Sequence, residues 1–276
     1  MRYPAAKRML FTGAILLIVA GKGLAQSDFW VKTNGPNDVL VNSIAVNSSN
    51  RIYAGTNAGV YRSTDNGSSW TRIGLADSVV NAVAIGRNGQ IFAGLQSMST
   101  GLWRSSDEGI HWISVRLDTI GGGIGFTEIF TIAVDPEGII FAGGWLVFRS
   151  ADDGLHWTFT QLQALYSVSA IVPVPSGLIF AACGAQLFRS TDHGIGWEGL
   201  NAAGFAIGYD QTGYIYTGCI DVSGDNGHSW VHSDSGLTST DLSCFAGNSI
   251  DEVFAGFNLS GLIPRRLRRF CILGNG

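Results

Sequence analysis

One eight-residue pattern, Ser-x-Asp-x-Gly-x-x-Trp, occurs five times and constrains the fold more than any other feature of the chain. The copies are Ser63-Asp65-Gly67-Trp70, Ser105-Asp107-Gly109-Trp112, Ser150-Asp152-Gly154-Trp157, Ser190-Asp192-Gly194-Trp197 and Ser223-Asp225-Gly227-Trp230. Successive Asp residues lie 42 (65 to 107), 45 (107 to 152), 40 (152 to 192) and 33 (192 to 225) positions apart. A fixed period near 40 is that of a four-stranded propeller blade, with one unit per repeat. The fold class expected is all-β, a β-propeller of four-stranded blades.

A second motif precedes each box: Ile52-Tyr53-Ala54-Gly55, Ile91-Phe92-Ala93-Gly94, Ile140-Phe141-Ala142-Gly143, Ile179-Phe180-Ala181-Ala182 and Ile215-Tyr216-Thr217-Gly218. Val253-Phe254-Ala255-Gly256 is a sixth copy with no box after it. β-Branched and aromatic residues bounded by glycine read as short strands, and small residues suit the crowded propeller centre. The first unit parses into strand A (Asn42 to Val46), B (Ile52 to Gly55), C (Val60 to Ser63) and D (Ser69 to Ile73), which puts each box in the C–D hairpin. There the Asp carboxylate and Ser hydroxyl can accept backbone N–H groups of a tight turn. The Gly supplies positive φ and the Trp packs on the blade. The box residues therefore read as structural, with no catalytic residue among them.

The chain ends offer a way to close the ring. Phe29-Trp30-Val31-Lys32-Thr33 mirrors an outer strand D, and the last unit supplies A (Leu242 to Ala246), B (Val253 to Gly256) and C (Gly261 to Pro264) without a D. Pairing them gives six blades and leaves no open edge to aggregate. Pro264-Arg265-Arg266-Leu267-Arg268-Arg269 replaces the sixth box. So abrupt a loss is also what a truncated seven-bladed propeller or a shifted reading frame would leave. The expected domains are a signal peptide (1–25), a propeller (26–264) and an irregular basic tail (265–276).

The leader rests on Arg2, Lys7 and Arg8, an apolar run from Met9 to Ala20, and Gly23-Leu24-Ala25 as a cleavage site. Twelve apolar residues are too few for the roughly 20 of a spanning helix. A secreted or periplasmic bacterial protein with a Sec-type signal peptide is expected, monomeric and without a membrane span after cleavage. Residues 26–264 carry 9 basic and 21 acidic groups, a net of 9 − 21 = −12. That balance argues against nucleic acid as a partner, which demands a basic stripe. Cys183 and Cys219 occupy one repeat element in consecutive blades, too far apart for a disulfide, and with Cys244 and Cys271 show no metal-ligand spacing. Gly121-Gly122-Gly123 lacks the Lys-Ser/Thr of a phosphate loop. Neither cofactor nor metal is expected.

The boxes resemble the BNR, or Asp-box, repeats of a large group of β-propellers. The group includes sialidases, xyloglucan-active glycosidases, the sortilin ectodomain and photosystem II assembly-factor propellers. The resemblance covers residues 29 to 256. The extended form, aromatic-Arg-Ser-x-Asp-x-Gly-x-x-Trp, is most similar to that of exported bacterial propellers. The resemblance implies a fold and leaves activity open.

A sialidase of this group would need three arginines clamping a carboxylate. Arg62, Arg104, Arg149 and Arg189 share one repeat position and read as structural, which leaves Arg51, Arg72, Arg87 and Arg116. The Arg-Ile-Pro signature of sialidases is absent from the N-terminal region. A glycosidase needs two carboxylates facing a cleft, for which Asp38, Asp77, Glu128 and Asp241 are candidates; such enzymes resemble paired propellers with a long groove. His111, His156, His193 and His228 fall inside box turns, as exposed variable positions.

In an antiparallel meander the A–B and C–D turns share one face, and the B–C and D–A loops share the other. The longest insertions, Gln96 to Thr100 and Arg116 to Thr127, belong to the second face, where a neighbouring short loop presents Trp145. Long loops over a rigid scaffold concentrate binding residues. The site expected is therefore Gln96, Met98, Arg116, Asp118, Glu128 and Trp145. The function expected is a non-catalytic binding or assembly module for a protein or glycan. A carbohydrate-active hydrolase, living or degenerate, is the alternative.

Overall fold

Each repeat folds into one antiparallel meander whose strands lie in sequence order from the first to the fourth. The computed structural model describes residues 35–36, 39–97, 100–117, 128–162, 165–210, 212–233, 242–247, 253–257 and 266–267. The expected leader (1–25), the closing strand Phe29–Thr33, Met98, Asp118 and Cys271 lie outside them.

Blade 1 comprises β1 (Val41–Val46), β2 (Ile52–Thr56), β3 (Gly59–Ser63) and β4 (Thr71–Gly74). Blade 2 comprises β5 (Val80–Ile85), β6 (Ile91–Leu95), β7 (Leu102–Ser105) and β8 (Ile113–Val115). Blade 3 follows as β9 (Thr131–Val134), β10 (Ile140–Gly143), β11 (Val147–Ser150) and β12 (Thr158–Phe159). Blade 4 is β13 (Val168–Pro173), β14 (Ile179–Cys183), β15 (Gln186–Ser190) and β16 (Glu198–Gly199). Blade 5 is β17 (Ile207–Tyr209), β18 (Ile215–Thr217), β19 (Asp221–Ser223) and β20 (Val231–His232). A sixth sheet holds three strands, β21 (Leu242–Gly247), β22 (Val253–Phe257) and β23 (Arg266–Leu267). First strands of successive sheets pack side by side, β1 on β5, β5 on β9, β9 on β13, β13 on β17 and β17 on β21. The chain is an all-β propeller, with no α-helix among the described residues.

Most strand limits differ from the sequence reading by one residue, and two places differ by more. Strand D begins at Thr71 rather than Ser69, because the box turn keeps the two residues before it: the Ser69 N–H donates to the Asp65 carboxylate and the Trp70 indole to the Gly67 carbonyl. The third strand of the last sheet includes Arg266–Leu267, within the stretch read as an irregular tail, whereas the expected strand at Gly261 to Pro264 lies outside the described residues. Its register explains the placement. Val253 pairs with Leu267 and Phe254 with Arg266, just as Ile91 pairs with Ser105 and Phe92 with Arg104. Arg266 thus takes the backbone position of the repeat arginine, although the box that should follow is lost.

The second motif is the joint between blades. Tyr53, Phe92, Phe141 and Phe180 are fully buried, and Phe141 and Val147 of blade 3 share a core with Val168, Ile171 and Ile179 of blade 4. Phe92, Phe141 and Phe180 each reach the box of the following blade. A Cβ on Gly154 would stand 2.4 Å from Phe92 Cε1, and one on Gly194 2.4 Å from Phe141 Cε1. Phe92 also meets the Trp157 ring edge-on, with centroids 6.2 Å apart. The closing glycine of the motif admits the next inner strand, since a Cβ on Gly94 would stand 2.5 Å from Ile129 Cγ2.

Candidate functional site

The two propeller faces have different chemistry, and the box face is occupied with its own structure. In all five boxes the Ser Oγ accepts the Gly N–H at 2.8–3.0 Å and donates to the Asp Oδ1 at 2.8–2.9 Å. Each Asp Oδ1 accepts the backbone N–H four residues on, at Ser69, His111, His156, Gly196 or Ser229. Four of the five box tryptophans donate Nε1 to the box Gly carbonyl, whereas the buried Trp197 N–H meets no partner among the described residues.

These bonds stabilise the carboxylates as anions. The Ser69 hydroxyl and N–H hold Asp65 down to about 2. The His111 N–H and imidazole do the same for Asp107. At Asp152 desolvation pushes upward and is outweighed by the His156 bonds, again giving about 2. His111 and His156 each place Nδ1 2.6 Å from their own box Asp, the place taken elsewhere by the Ser69 and Ser229 hydroxyls.

Four arginines on this face, Arg51, Arg62, Arg87 and Arg189, join neighbouring blades. Arg62 donates to the Glu108 carbonyl at 3.2 Å, and Glu108 also pairs with Arg51. Arg189, 6% exposed, donates to the Asn226 carbonyl at 2.5 Å and to Glu198 at 2.7 Å. Arg87 donates to the Glu137 and Pro136 carbonyls, and Asn88 to Asp153 at 2.6 Å. His193 of box 4 lies 3.8 Å from Asp135 and 3.6 Å from Glu137 of blade 3. These polar groups act as interblade ties.

The opposite face, built of B–C and D–A loops, holds the described residues of the expected site. Gln96 and Arg116 are exposed and Glu128 half-buried. The backbone brings these loops together: Gln96 N–H donates to Val79 O, Ile129 N–H to Leu95 O and Phe130 N–H to Gly143 O. Glu128 thereby begins the segment that leads into β9 beside both the Gln96 loop and the Trp145 turn. Trp145 is 57% exposed on the B–C turn of blade 3 and is not wedged between blades.

The same face continues around blades 4 and 5 in residues that loop length did not single out. Tyr166 (63% exposed) lies on the link into blade 4, with its ring over Gly184 of that blade's B–C turn. Phe205 (57% exposed) lies on the link into blade 5, where its carbonyl accepts the Ser169 hydroxyl at 2.8 Å. Beside Tyr166 opens a shallow cleft of about 520 Å³, lined by Tyr166, Ala185, Gln186, the Leu200–Ala203 segment and Asp221. Short links are usual in propellers, so length gives no cue here. The available signal was an aromatic in a connection, outside the strand pattern.

An exposed ring beside amide and carboxylate side chains can stack on a planar or apolar partner surface and hydrogen-bond to its edge. The cleft lining has one carboxylate, Asp221, whereas glycoside hydrolysis uses two.

No protein-family model and no curated protein matches the sequence. Solved structures do match. A GH74 enzyme of Niastella koreensis superposes with a TM-score of 0.57 at 19% identity, over 79% of this chain and 35% of that one. YCF48 bound to the D1 peptide superposes with 0.62 at 19%, over 80% and 77%. PorZ, a surface component of the type-IX secretion system of Porphyromonas gingivalis, gives 0.61 at 14%, over 79% and 37%. This chain thus spans little more than a third of the GH74 enzyme and of PorZ. At such identities the likeness carries the β-propeller fold and no activity.

Proposed function

We propose that the chain is an exported, non-catalytic β-propeller of the Asp-box kind, which binds a protein or glycan partner through its B–C/D–A face. One observation carries the reading: Trp145, Tyr166 and Phe205 stand 57–63% exposed on loops of that face, and Tyr166 lines an open cleft there. Exposed aromatics on a rigid scaffold supply contact area with little entropy to lose. The box face, by contrast, has its box carboxylates bonded within their own turns, and Arg62, Arg87 and Arg189 bonded across to the next blade. The propeller neighbours include both an enzyme and a peptide-bound protein, and the single carboxylate of the cleft favours binding.

The test uses glycan and peptide arrays, probed with the full chain and with Trp145→Ala/Tyr166→Ala/Phe205→Ala. The reading expects a ligand that the parent binds and the triple variant does not, with equal melting temperatures. Release of reducing ends from a soluble polysaccharide, retained in the triple variant, would contradict it.

A further inference from the structure

Charge is distributed unevenly along this chain. From residue 190 to residue 264 the sequence holds nine Asp and Glu residues and neither Lys nor Arg. The cleft between blades 4 and 5 draws Asn201, Ala202, Ala203 and Asp221 from that stretch. Asp221 is the one charged group in the lining, with its side chain 23% exposed and Oδ1 3.0 Å from His232 Nδ1. A carboxylate accepts several hydrogen bonds, so one contact to an imidazole leaves acceptor capacity.

We infer that this cleft receives an arginine or lysine side chain from a partner polypeptide, an assignment that rests on the proposed role of this face in binding. The walls fit the stem of such a side chain: Tyr166 supplies a ring face, and Leu200, Ala185 and Ala202 an aliphatic surface. Asp221 meets the cation, and the Tyr166 ring adds a cation–π contact. A polypeptide is favoured over a small polycation because the face that holds the cleft carries further exposed aromatics, Trp145 and Phe205, on other loops. An extended chain would cover all three.

The full chain is titrated by fluorescence anisotropy with a labelled decapeptide carrying alternate arginines and with its citrulline counterpart, at low and at physiological salt. The arginine peptide binds more tightly, and salt weakens it. Asp221→Asn lowers its affinity about fivefold, the scale of one partly screened ion pair. Asp77→Asn removes the same charge from an exposed site on the link between blades 1 and 2 and leaves affinity unchanged. Asp221→Lys turns the preference toward a glutamate-bearing peptide. Tyr166→Leu, at an exposed position that does not threaten folding, narrows the gap between arginine and citrulline.

Equal losses at Asp221 and Asp77 would overturn the inference, as would citrulline binding as well as arginine, full displacement by spermine, or failure of the arginine peptide to bind. A neutral peptide or oligosaccharide whose binding needs Tyr166 and not Asp221 would sink the cation assignment and leave the binding face standing. Ligand binding insensitive to Trp145, Tyr166 and Phe205 alike would remove the binding face itself.

Discussion

Two glycines with nearly the same backbone angle separate local strain from the joint between blades. Gly89, in the A–B turn of blade 2, has φ of 81°, and Gly154, in the box of blade 3, has φ of 75°. Alanine at either must adopt a left-handed conformation, at about 1 kcal/mol. At Gly89 a new Cβ meets nothing within 4 Å, so that cost stands alone. At Gly154 it would lie 2.4 Å from Phe92 Cε1 and 2.6 Å from Cζ, on a ring that is fully buried and set against Trp157. Relieving that overlap means moving a packed ring or parting two blades, an overpacking cost of roughly 2 kcal/mol. Gly89→Ala should therefore lower the melting temperature by about 3 °C, and Gly154→Ala by about 9 °C, at roughly 3 °C per kcal/mol for a chain of this size. Phe92→Leu in the Gly154→Ala background should show a favourable coupling of about 0.5 kcal/mol or more in urea titrations. Equal melting shifts for the two glycine variants would refute the idea that the box is wedged against the preceding blade.

Other perturbations test the same division of faces. Asp65, Asp107 and Asp152 are held at about 2 against an ordinary 3.8. Carboxylates depressed in this way stabilise the fold fully above the ordinary value, and that contribution fades as pH falls through the folded one. The melting temperature should thus hold from neutrality to about pH 4 and then drop toward pH 2, with a shallower drop in Asp65→Asn; an unchanged slope would count against the box as the cause. Arg189→Met should cost about 2 kcal/mol in urea, since it strips a buried charge-assisted pair from Glu198 and the Asn226 carbonyl. Arg62→Met, at a more exposed pair, should cost less than about 1 kcal/mol. Alanine at Trp145, Tyr166 or Phe205 should each change stability by no more than about 0.5 kcal/mol, because these rings face outward.

Much of the fold was legible because propellers repeat their solutions. Ser, Asp, Gly and Trp at fixed spacing have one joint use, a turn in which hydroxyl and carboxylate accept backbone N–H groups, and the five copies make the same bonds. The Ile-aromatic-Ala-Gly motif was legible as a strand. Its second role, the aromatic wedged on the next box, depends on a glycine about 50 to 60 residues further along, such as Gly194 for Phe141 and Gly154 for Phe92, and could not be read from spacing. The strand at Arg266–Leu267 escaped notice because register carries it where the motif has ended. At the candidate site the sequence indicated the face and Trp145, from topology and loop length. Tyr166, Phe205 and the cleft lie on short links, where only the packing of backbone decides whether a ring points out or in.

The central claim is that one face holds the propeller together and the other binds. Amide hydrogen exchange of the full chain, free and bound to a ligand found on the arrays, tests it most directly. The account predicts added protection at residues 144–146, 165–167, 184–186, 200–206 and 218–221, with the box turns unchanged. Protection confined to residues 66–69, 108–111 and 153–156 would place the partner on the box face, where Ile110 and Leu155 stand exposed, and would contradict it.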